Sequence, residues 1–205
     1  MEPVNQDGKM DHKTIESYDT NADEYAKKWA LQGAPDDLYG LLGQYFSPGL
    51  TADIGCGTGR DVAWLSAQGF AAAGFDASAN LLAHAKAAYP ELPFFRSSLP
   101  LLAGVDRGIY QNILCETVIM HLPSSLLCEA VDTLVALLRP GGTIYLSWRV
   151  HSEVERDETD RLYTPVNPDT ALAPLYERAQ VLLDQEMMSA SSGKRIRRIV
   201  ARKQT

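Results

Sequence analysis

The sequence predicts an α/β fold in which a largely parallel sheet lies between two layers of helices. Three observations carry this reading. Short apolar runs alternate with helical segments of roughly ten to fifteen residues, the first run feeds a glycine-rich turn, and the chain closes with the pattern of a β-hairpin. Such alternation implies right-handed crossovers between parallel strands that are covered on both faces. With 205 residues the chain can bury one full core, so a single domain over 1–205 is expected.

Ile15, Tyr18, Ala22, Tyr25 and Trp29 recur at steps of three and four, which predicts an amphipathic helix from about Thr14 to Trp29 with one aromatic face. Ahead of it, Met1 to Lys13 lack the basic start and apolar run of a signal peptide and read as a frayed terminus. A second helix is expected over Leu38 to Phe46 and is ended by Ser47-Pro48-Gly49. Leu50 to Ile54 then form a short apolar strand running into the glycine turn. Thr58 is placed to cap the next helix, which carries Val62 to Leu65 and stops near Gly69. Phe70 to Phe75 make the second strand, ending at Asp76.

Ser78 is an N-cap for an alanine-rich helix that ends before Pro90, and Pro93 to Arg96 make the third strand. Ile109 to Cys115 read as the fourth. Leu127, Val131, Leu134 and Leu138 mark a helix stopped by Arg139-Pro140-Gly141-Gly142, after which Thr143 to Trp148 make the fifth strand. The ending differs: a helix near Asp169 to Ala179, a strand from Val181 to Met188, a Ser-Gly turn over 189–193 and the alternating run Arg195 to Ala201.

Composition narrows the function classes. At 45% hydrophobic and 22% charged residues, the chain is too interrupted for a membrane span, and a soluble cytoplasmic protein is expected. Cys56, Cys115 and Cys128 have neither metal-ligand nor Cys-x-x-Cys spacing, so no metal and no disulfide framework is expected. Net charge is −7, although six of the 19 basic residues fall between Lys194 and Lys203. Most of the surface therefore repels phosphate backbones, and the basic segment reads as a solvated edge strand rather than a nucleic-acid patch. The expected partner is a small-molecule substrate, with the chain a monomer or homodimer.

The turn itself reads Asp53-Ile54-Gly55-Cys56-Gly57-Thr58-Gly59. A dinucleotide fingerprint needs Gly-x-Gly-x-x-Gly, but here Arg60 occupies the sixth position and the third glycine comes one residue early. Asp53 would face a pyrophosphate across a poorly solvated crevice, an unfavourable like-charge contact. For S-adenosylmethionine the sign reverses, because that cofactor has no phosphate and carries an ammonium and a sulfonium. Asp76, at the end of the second strand, can accept both ribose hydroxyl protons.

At these residues the sequence resembles the class I S-adenosylmethionine-dependent methyltransferases, specifically the small bacterial ones with a Rossmann-like fold. Asp53 to Gly59 match their first motif, Gly74-Phe75-Asp76 the second, and Leu138-Arg139-Pro140-Gly141-Gly142 the segment before their fifth strand; His121-Leu122-Pro123 also matches. The resemblance runs from about Ser17 to Trp148. It implies a three-layer α/β/α sandwich with a seven-stranded, mostly parallel sheet whose last strand is antiparallel. It also implies that the helical segment 1–46 closes over the cofactor and that S-adenosylhomocysteine is the product.

Carried onto this sequence, the resemblance implies cofactor contacts at Asp53, Gly55, Cys56, Gly57, Thr58, Gly59, Asp76, Ala77, Cys115 and Glu116. Tyr18 and Tyr25 would lie near its methionine end, although two aromatics on a packing face fit the same spacing. Many relatives hold adenine with an Asp after the third strand. Here Arg96-Ser97-Ser98-Leu99-Pro100 offers hydroxyls and backbone amides instead, which moves the adenine contacts to Ser98 and Leu99.

Methyl transfer chiefly requires alignment of the nucleophile and exclusion of water. His121 is the best single candidate for a base, with orientation of its loop as the competing role, and Glu116 could hold substrate or the cofactor's ammonium. Cys56 most simply fills space beneath the turn. A polar insert over 149–168 carries Arg149, Arg161 and Tyr163, which would suit a carboxylate- or phosphate-bearing acceptor. Glu153, Glu155, Arg156, Asp157 and Glu158 there also fit a solvated loop. Four alternatives stand beside a small-molecule O-, N- or S-methyltransferase: a nucleic-acid or protein-glutamine methyltransferase, disfavoured because Cys115-Glu116-Thr117-Val118 stands where such enzymes usually show Asn/Asp-Pro-Pro-Tyr/Phe; a thiol or chalcogen-oxyanion detoxifying enzyme of the tellurite-resistance type; a non-catalytic S-adenosylmethionine-binding module; and an NAD-binding protein, disfavoured by the glycine spacing and Asp53.

Overall fold

The computed structural model describes residues 10–190 and 192–204. Residues 1–9 of the expected frayed terminus, and Ser191 of the terminal turn, lie outside the described residues. From Met10 onward the terminus is ordered into the fold: Met10 is buried, and the Asp11 carboxylate caps the first helix by accepting from the Thr14 amide at 2.9 Å and hydroxyl at 2.8 Å.

The helix expected from Thr14 to Trp29 is two helices, α1 (His12–Thr20) and α2 (Ala22–Ala30). Asn21 separates them at φ −102° and ψ 18°, its side-chain amide donating back to the Ser17 carbonyl at 2.8 Å. The aromatic face survives the break, since Tyr25 and Trp29 stack at 5.4 Å between ring centroids. Helix α3 (Asp36–Tyr45) follows.

The α/β body comprises β1 (Leu50–Ile54), α4 (Arg60–Ala67), β2 (Ala71–Asp76), α5 (Ala79–Ala88), β3 (Phe94–Arg96), β4 (Tyr110–Cys115), α6 (Leu127–Leu137) and β5 (Leu138–Arg149). Ser78 caps α5 by accepting from the Leu81 amide at 3.1 Å. Helix α4, by contrast, is capped by Gly59 at φ 82° with no side-chain bond, so Thr58 is not the cap expected of it. The positive φ explains this, because only glycine holds that conformation without strain.

Between β5 and the final hairpin, β6 (Glu155–Arg156) and β7 (Leu162–Tyr163) form a two-stranded ladder of their own. The helix expected near Asp169 to Ala179 is split into α7 (Pro168–Ala171) and α8 (Ala173–Arg178). Pro174 sits in the first turn of α8, where its missing N–H costs nothing but where it cannot continue a preceding helix. Strands β8 (Ala179–Met188) and β9 (Arg195–Lys203) complete the sheet.

Sheet order is β3-β2-β1-β4-β5-β9-β8, parallel throughout except for β9, which inserts antiparallel between β5 and β8. The Rossmann-like α/β expectation, with its antiparallel last strand, is met. The basic segment is nevertheless not the edge strand expected of it: β8 is the edge and β9 is interior. Two of its charges are paired locally, Arg197 with Asp184 at 2.7 Å and Arg198 with Asp37 at 3.1 Å, while Lys203 donates to the Leu138 carbonyl at 2.7 Å.

Strand β5 also begins earlier than its sequence suggests, absorbing Arg139-Pro140-Gly141-Gly142. A Cβ at Gly142 would stand 3.0 Å from the carbonyl oxygens of Arg139 and Tyr110, a crowding that accompanies the register shift between Tyr110 and Asn112. Among the described residues no helix is long and apolar enough to cross a membrane. What matters for the site is that the strand order reverses between β1 and β4, opening a crevice at their carboxyl ends.

Candidate active site

Three local devices shape that crevice. First, the turn after β1 is tied to β2: the Gly55 and Cys56 amides both donate to the Phe75 carbonyl, at 2.7 and 3.1 Å. Gly55 and Gly57 have φ 80° and 53°. A Cβ on Gly55 would lie 2.3 Å from Val118, and one on Gly57 would lie 3.1 Å from Trp29. Second, Asp76 braces the turn, one oxygen accepting from the Gly57 amide and the other from the Ser78 amide, each at 2.8 Å. Third, a 3-10 turn over Ile119–His121 carries the His121 ring back over the crevice.

Two adjoining hollows result, sharing Tyr18, Trp29, Gly55, Gly57, Glu116 and His121. One, of about 690 Å³, runs over Asp76, Ala77, Ser98 and Leu99. The other, of about 980 Å³, runs over Asp53, Cys56, Thr58, Asp61, Arg149 and Arg161.

The turn end is acidic. Asp53 is 3% exposed, and its Oδ2 is buried without a hydrogen-bond partner. Burial and the nearby charges of Asp61 and Asp76 push its carboxyl well above the usual carboxylate range. Burial likewise raises Asp76, against the pull of the Ser78 and Gly57 amides. Glu116 is pushed up to about 7 by burial, although the Ser147 hydroxyl donates to it at 2.5 Å. Arg60, the cation among these groups, is bonded to Asp61 at 2.9 Å.

The opposite wall is a latch between the N-terminal helices and the β6–β7 insert. The His121 Nδ1–H donates to the Leu162 carbonyl at 2.6 Å, which leaves Nε2 to accept from the Tyr18 hydroxyl at 3.0 Å. Burial holds His121 down at about 4 and lifts Tyr18 to about 12. Arg161 Nη1 in turn donates to the Tyr18 oxygen at 3.2 Å, with its guanidinium carbon 5.2 Å from the Tyr18 ring and 5.0 Å from that of Tyr25. Asp157 accepts from Arg161 Nε at 2.9 Å; burial alone would raise that carboxyl, but the Arg161 bonds outweigh it and hold it at about 2. Asp11 and Arg156 pair at 2.9 Å across the same seam.

Most residues singled out from the sequence meet here, but four do not line either hollow. Cys115 is wholly buried in β4, and Gly59 sits beneath the turn against Phe94. Tyr25 and Tyr163 form the shell around Arg161. Cys56 packs its sulfur under Gly74, where a Cβ would come within 2.7 Å. Asp157 is half-buried and ion-paired with Arg161, and Arg156 is exposed but paired with Asp11, whereas Glu153, Glu155 and Glu158 are exposed. Sequence reasoning missed Trp29, Asp61, Val118 and Asp157. Trp29 was within reach, because it lies on the same helical stripe as Tyr18 and Tyr25.

A family model described as a methyltransferase domain matches residues 22–179. A methyltransferase from Geobacillus sp. (strain WCH70) is 29% identical over 118 residues, which cover 55% of this chain and 47% of that protein. The match thus spans about half the length of that curated relative. Among solved structures, the 1,6-didemethyltoxoflavin-N1-methyltransferase of Burkholderia thailandensis, bound to 1,6-didemethyltoxoflavin and S-adenosylhomocysteine, superposes with a TM-score of 0.71 at 19% identity, covering 94% of this chain and 88% of that one. The phosphoethanolamine N-methyltransferase 2 of Haemonchus contortus, in complex with S-adenosyl-L-methionine, gives a TM-score of 0.71 at 12% identity, covering 91% of this chain and 57% of that one. At such identities the likeness is one of fold. The family model, which takes in the glycine turn, both acidic strand ends and the His121 loop, is what assigns the chain: it belongs to the methyltransferase-domain family.

Proposed function

We propose that the protein is an S-adenosylmethionine-dependent methyltransferase that acts on a small-molecule acceptor by in-line transfer. The observation that carries this reading is the buried, partnerless Asp53 Oδ2 at the acidic end of the crevice. A buried carboxylate without a partner is costly, and a cationic ligand removes that cost. An ammonium and a sulfonium fit beside Asp53 and Glu116; a pyrophosphate does not.

When bound, S-adenosylmethionine supplies an electrophilic methyl group on sulfur. The chain's residues do the rest. Asp76 spends one lone pair of each oxygen on backbone amides and keeps the others for the ribose hydroxyls. Ala77, Ser98 and Leu99 flank the adenine side of the same hollow. Glu116, on the acidic end, serves the ammonium.

In the second hollow the acceptor meets the Tyr18 hydroxyl. A proton leaving the attacking nitrogen, oxygen or sulfur passes to the Tyr18 oxygen while the Tyr18 proton moves to His121 Nε2. The Leu162 carbonyl holds His121 in the tautomer this transfer needs, and Arg161 stabilises charge developing on the Tyr18 oxygen. His121 therefore acts through Tyr18. Tyr18 of α1 and Trp29 of α2 wall both hollows, and Arg161 of the insert walls the second.

The test is turnover of methyl-labelled S-adenosylmethionine with a panel of thiols, amines, phenols and carboxylic acids. Labelled product with equivalent S-adenosylhomocysteine is expected for at least one acceptor class. Binding without product from any acceptor would make the chain a binding module, and retention of NADH with indifference to S-adenosylhomocysteine would overturn the cofactor assignment.

A further inference from the structure

We infer that the acceptor carries an oxyanion, a carboxylate or a phosphate, and that Arg149, not Arg161, is the residue that binds it. This rests on the methyltransferase reading and adds the substrate class to it.

Two guanidinium groups flank one aromatic ring: the Arg149 carbon lies 5.8 Å from the Tyr163 ring centroid and the Arg161 carbon 5.7 Å. A single carboxylate, Asp157, serves this pair, and it is committed to Arg161 through Nε at 2.9 Å and Nη2 at 2.5 Å. The cluster is therefore one anion short. Among the described residues, Arg60, Arg156 and Arg161 each have an acid partner, whereas Arg149 has none. Its Nη1 donates to the neutral Tyr163 hydroxyl at 3.2 Å, and its Nε is buried with no acceptor.

A half-buried guanidinium presents five donors in a rigid fork, and leaving them on one hydroxyl is costly unless a planar or tetrahedral oxyanion completes the set. The position suits a substrate. Arg149 ends β5 and lines the hollow that also holds Glu116, Thr117 and His121. Its positive charge is close enough to perturb Tyr18 and His121. The hollow is thus polarised, with carboxylates on the glycine-turn side and an unmatched cation on the other. An acceptor anchored at Arg149 by its anion presents its far end toward Tyr18 and the acidic end, which is where the nucleophile is needed. Arg161 has no such freedom, being held by Asp157 and enclosed by Tyr18 and Tyr25 at 5.2 and 5.0 Å.

The test compares acceptors that share a nucleophile but end in a carboxylate, a phosphate or a neutral amide, using the full chain, Arg149→Gln and Arg149→Lys. S-adenosylhomocysteine affinity is measured in parallel by calorimetry. In the wild type one charged series should exceed the neutral one by about tenfold or more in kcat/KM, mainly through KM. The ratio should fall to about one in Arg149→Gln and recover in part in Arg149→Lys, with S-adenosylhomocysteine affinity unchanged throughout. Which charged series responds separates carboxylate from phosphate.

Equal rates for neutral and charged members in the wild type, or an unchanged preference in Arg149→Gln, overturn the inference. Should nothing turn over, thermal protection of the S-adenosylhomocysteine-loaded protein by acetate and by inorganic phosphate decides. Protection lost in Arg149→Gln supports it, and equal or absent protection overturns it. Failure of the wild type to bind S-adenosylhomocysteine at all is the separate failure of the methyltransferase reading.

Discussion

The Tyr18 hydroxyl donates to His121 Nε2 at 3.0 Å, and this one bond joins the N-terminal helices to the loop after β4. Because His121 Nδ1 is bonded to the Leu162 carbonyl at 2.6 Å, the β6–β7 insert is held by the same ring. In the proposed relay the two side chains act through that bond, which makes their joint removal informative.

Tyr18→Phe and His121→Ala should each lower kcat by about 10²-fold or more, the usual range for losing a general acid or base. S-adenosylhomocysteine affinity should change little. Residues acting through one bond are non-additive, so the double variant should be no slower than the worse single one. Since burial holds His121 down at about 4, the kcat profile should show no inflection near the ordinary histidine value of 6.5. Losses that multiply in the double variant would mean that the two residues act separately.

Glu116 sets a pH dependence of the opposite kind. Its carboxyl is pushed up to about 7 from an ordinary 4.5, so the folded state holds this proton longer than the unfolded state does. The contribution of Glu116 to stability without ligand should be fully present below 4.5 and be lost as pH rises through about 7, by on the order of 1–3 kcal/mol. Affinity for the cationic cofactor should rise over the same interval, because binding favours the ionised form. Thermal unfolding between pH 5 and pH 8, alone and with S-adenosylmethionine, reads both slopes, and Glu116→Gln should flatten them.

How much of this was legible from the letters depends on the range over which each feature is encoded. The turn over Gly55 to Gly59 and the Ser78 cap show in the local sequence, whereas the Asp76 bond to the Gly57 amide, 19 positions away, and the capping of α4 by Gly59 in place of Thr58 do not. The interior position of β9 does not: its arginines look like a solvated edge until Asp184 and Asp37 are seen to pair with them. Two-residue strands such as β6 and β7 are too short to show a period. The break at Asn21 lies inside an unbroken apolar stripe and depends on a side-chain bond to the Ser17 carbonyl. The latch was hidden most deeply, because Asp11 and Arg156 meet across 145 positions and Tyr18 and His121 across 103.

The glycine turn can be stressed directly. Gly55→Ala should destabilise the fold by about 2 kcal/mol or more, since it adds a strained positive φ to a Cβ placed 2.3 Å from Val118. Gly57→Ala meets Trp29 at 3.1 Å, so its main effect should be weaker cofactor binding as the ring is displaced into the hollow. Denaturant unfolding and calorimetry on the two variants separate these costs. A Gly55→Ala protein as stable as the wild type would contradict the contact.

Asp11 and Arg156, paired at 2.9 Å with Asp11 largely buried, form one ion pair across the seam between helices and insert. Arg156→Ala leaves the Asp11 carboxylate capping α1 but removes its charge partner. Hydrogen exchange over residues 11–30 should quicken severalfold while the central strands keep their protection, as expected of local rather than global opening. Uniform acceleration across the sheet would show that the seam is not a separate unit.

Asp53 gives the sharpest test because stability and binding should move in opposite directions. In the ligand-free protein its carboxyl is buried, its Oδ2 has no partner, and burial with the charges of Asp61 and Asp76 disfavours ionisation. Asp53→Asn keeps the shape and removes the charge, so the ligand-free protein at neutral pH should unfold at a higher temperature, by roughly 1 kcal/mol of added stability. The same change deletes a charge-assisted contact to the cofactor's cationic end, worth about 1.5–3 kcal/mol, and should weaken S-adenosylmethionine binding by about 10- to 100-fold. Asp53→Ala should lose the affinity as well, but without the gain in stability, since it leaves a void beneath the turn. Calorimetry and thermal unfolding on the same preparations decide. Equal affinity in wild type and Asp53→Asn would remove the acidic end from the binding site, and a loss of both stability and affinity would make Asp53 a brace for the turn instead of a ligand for a cation.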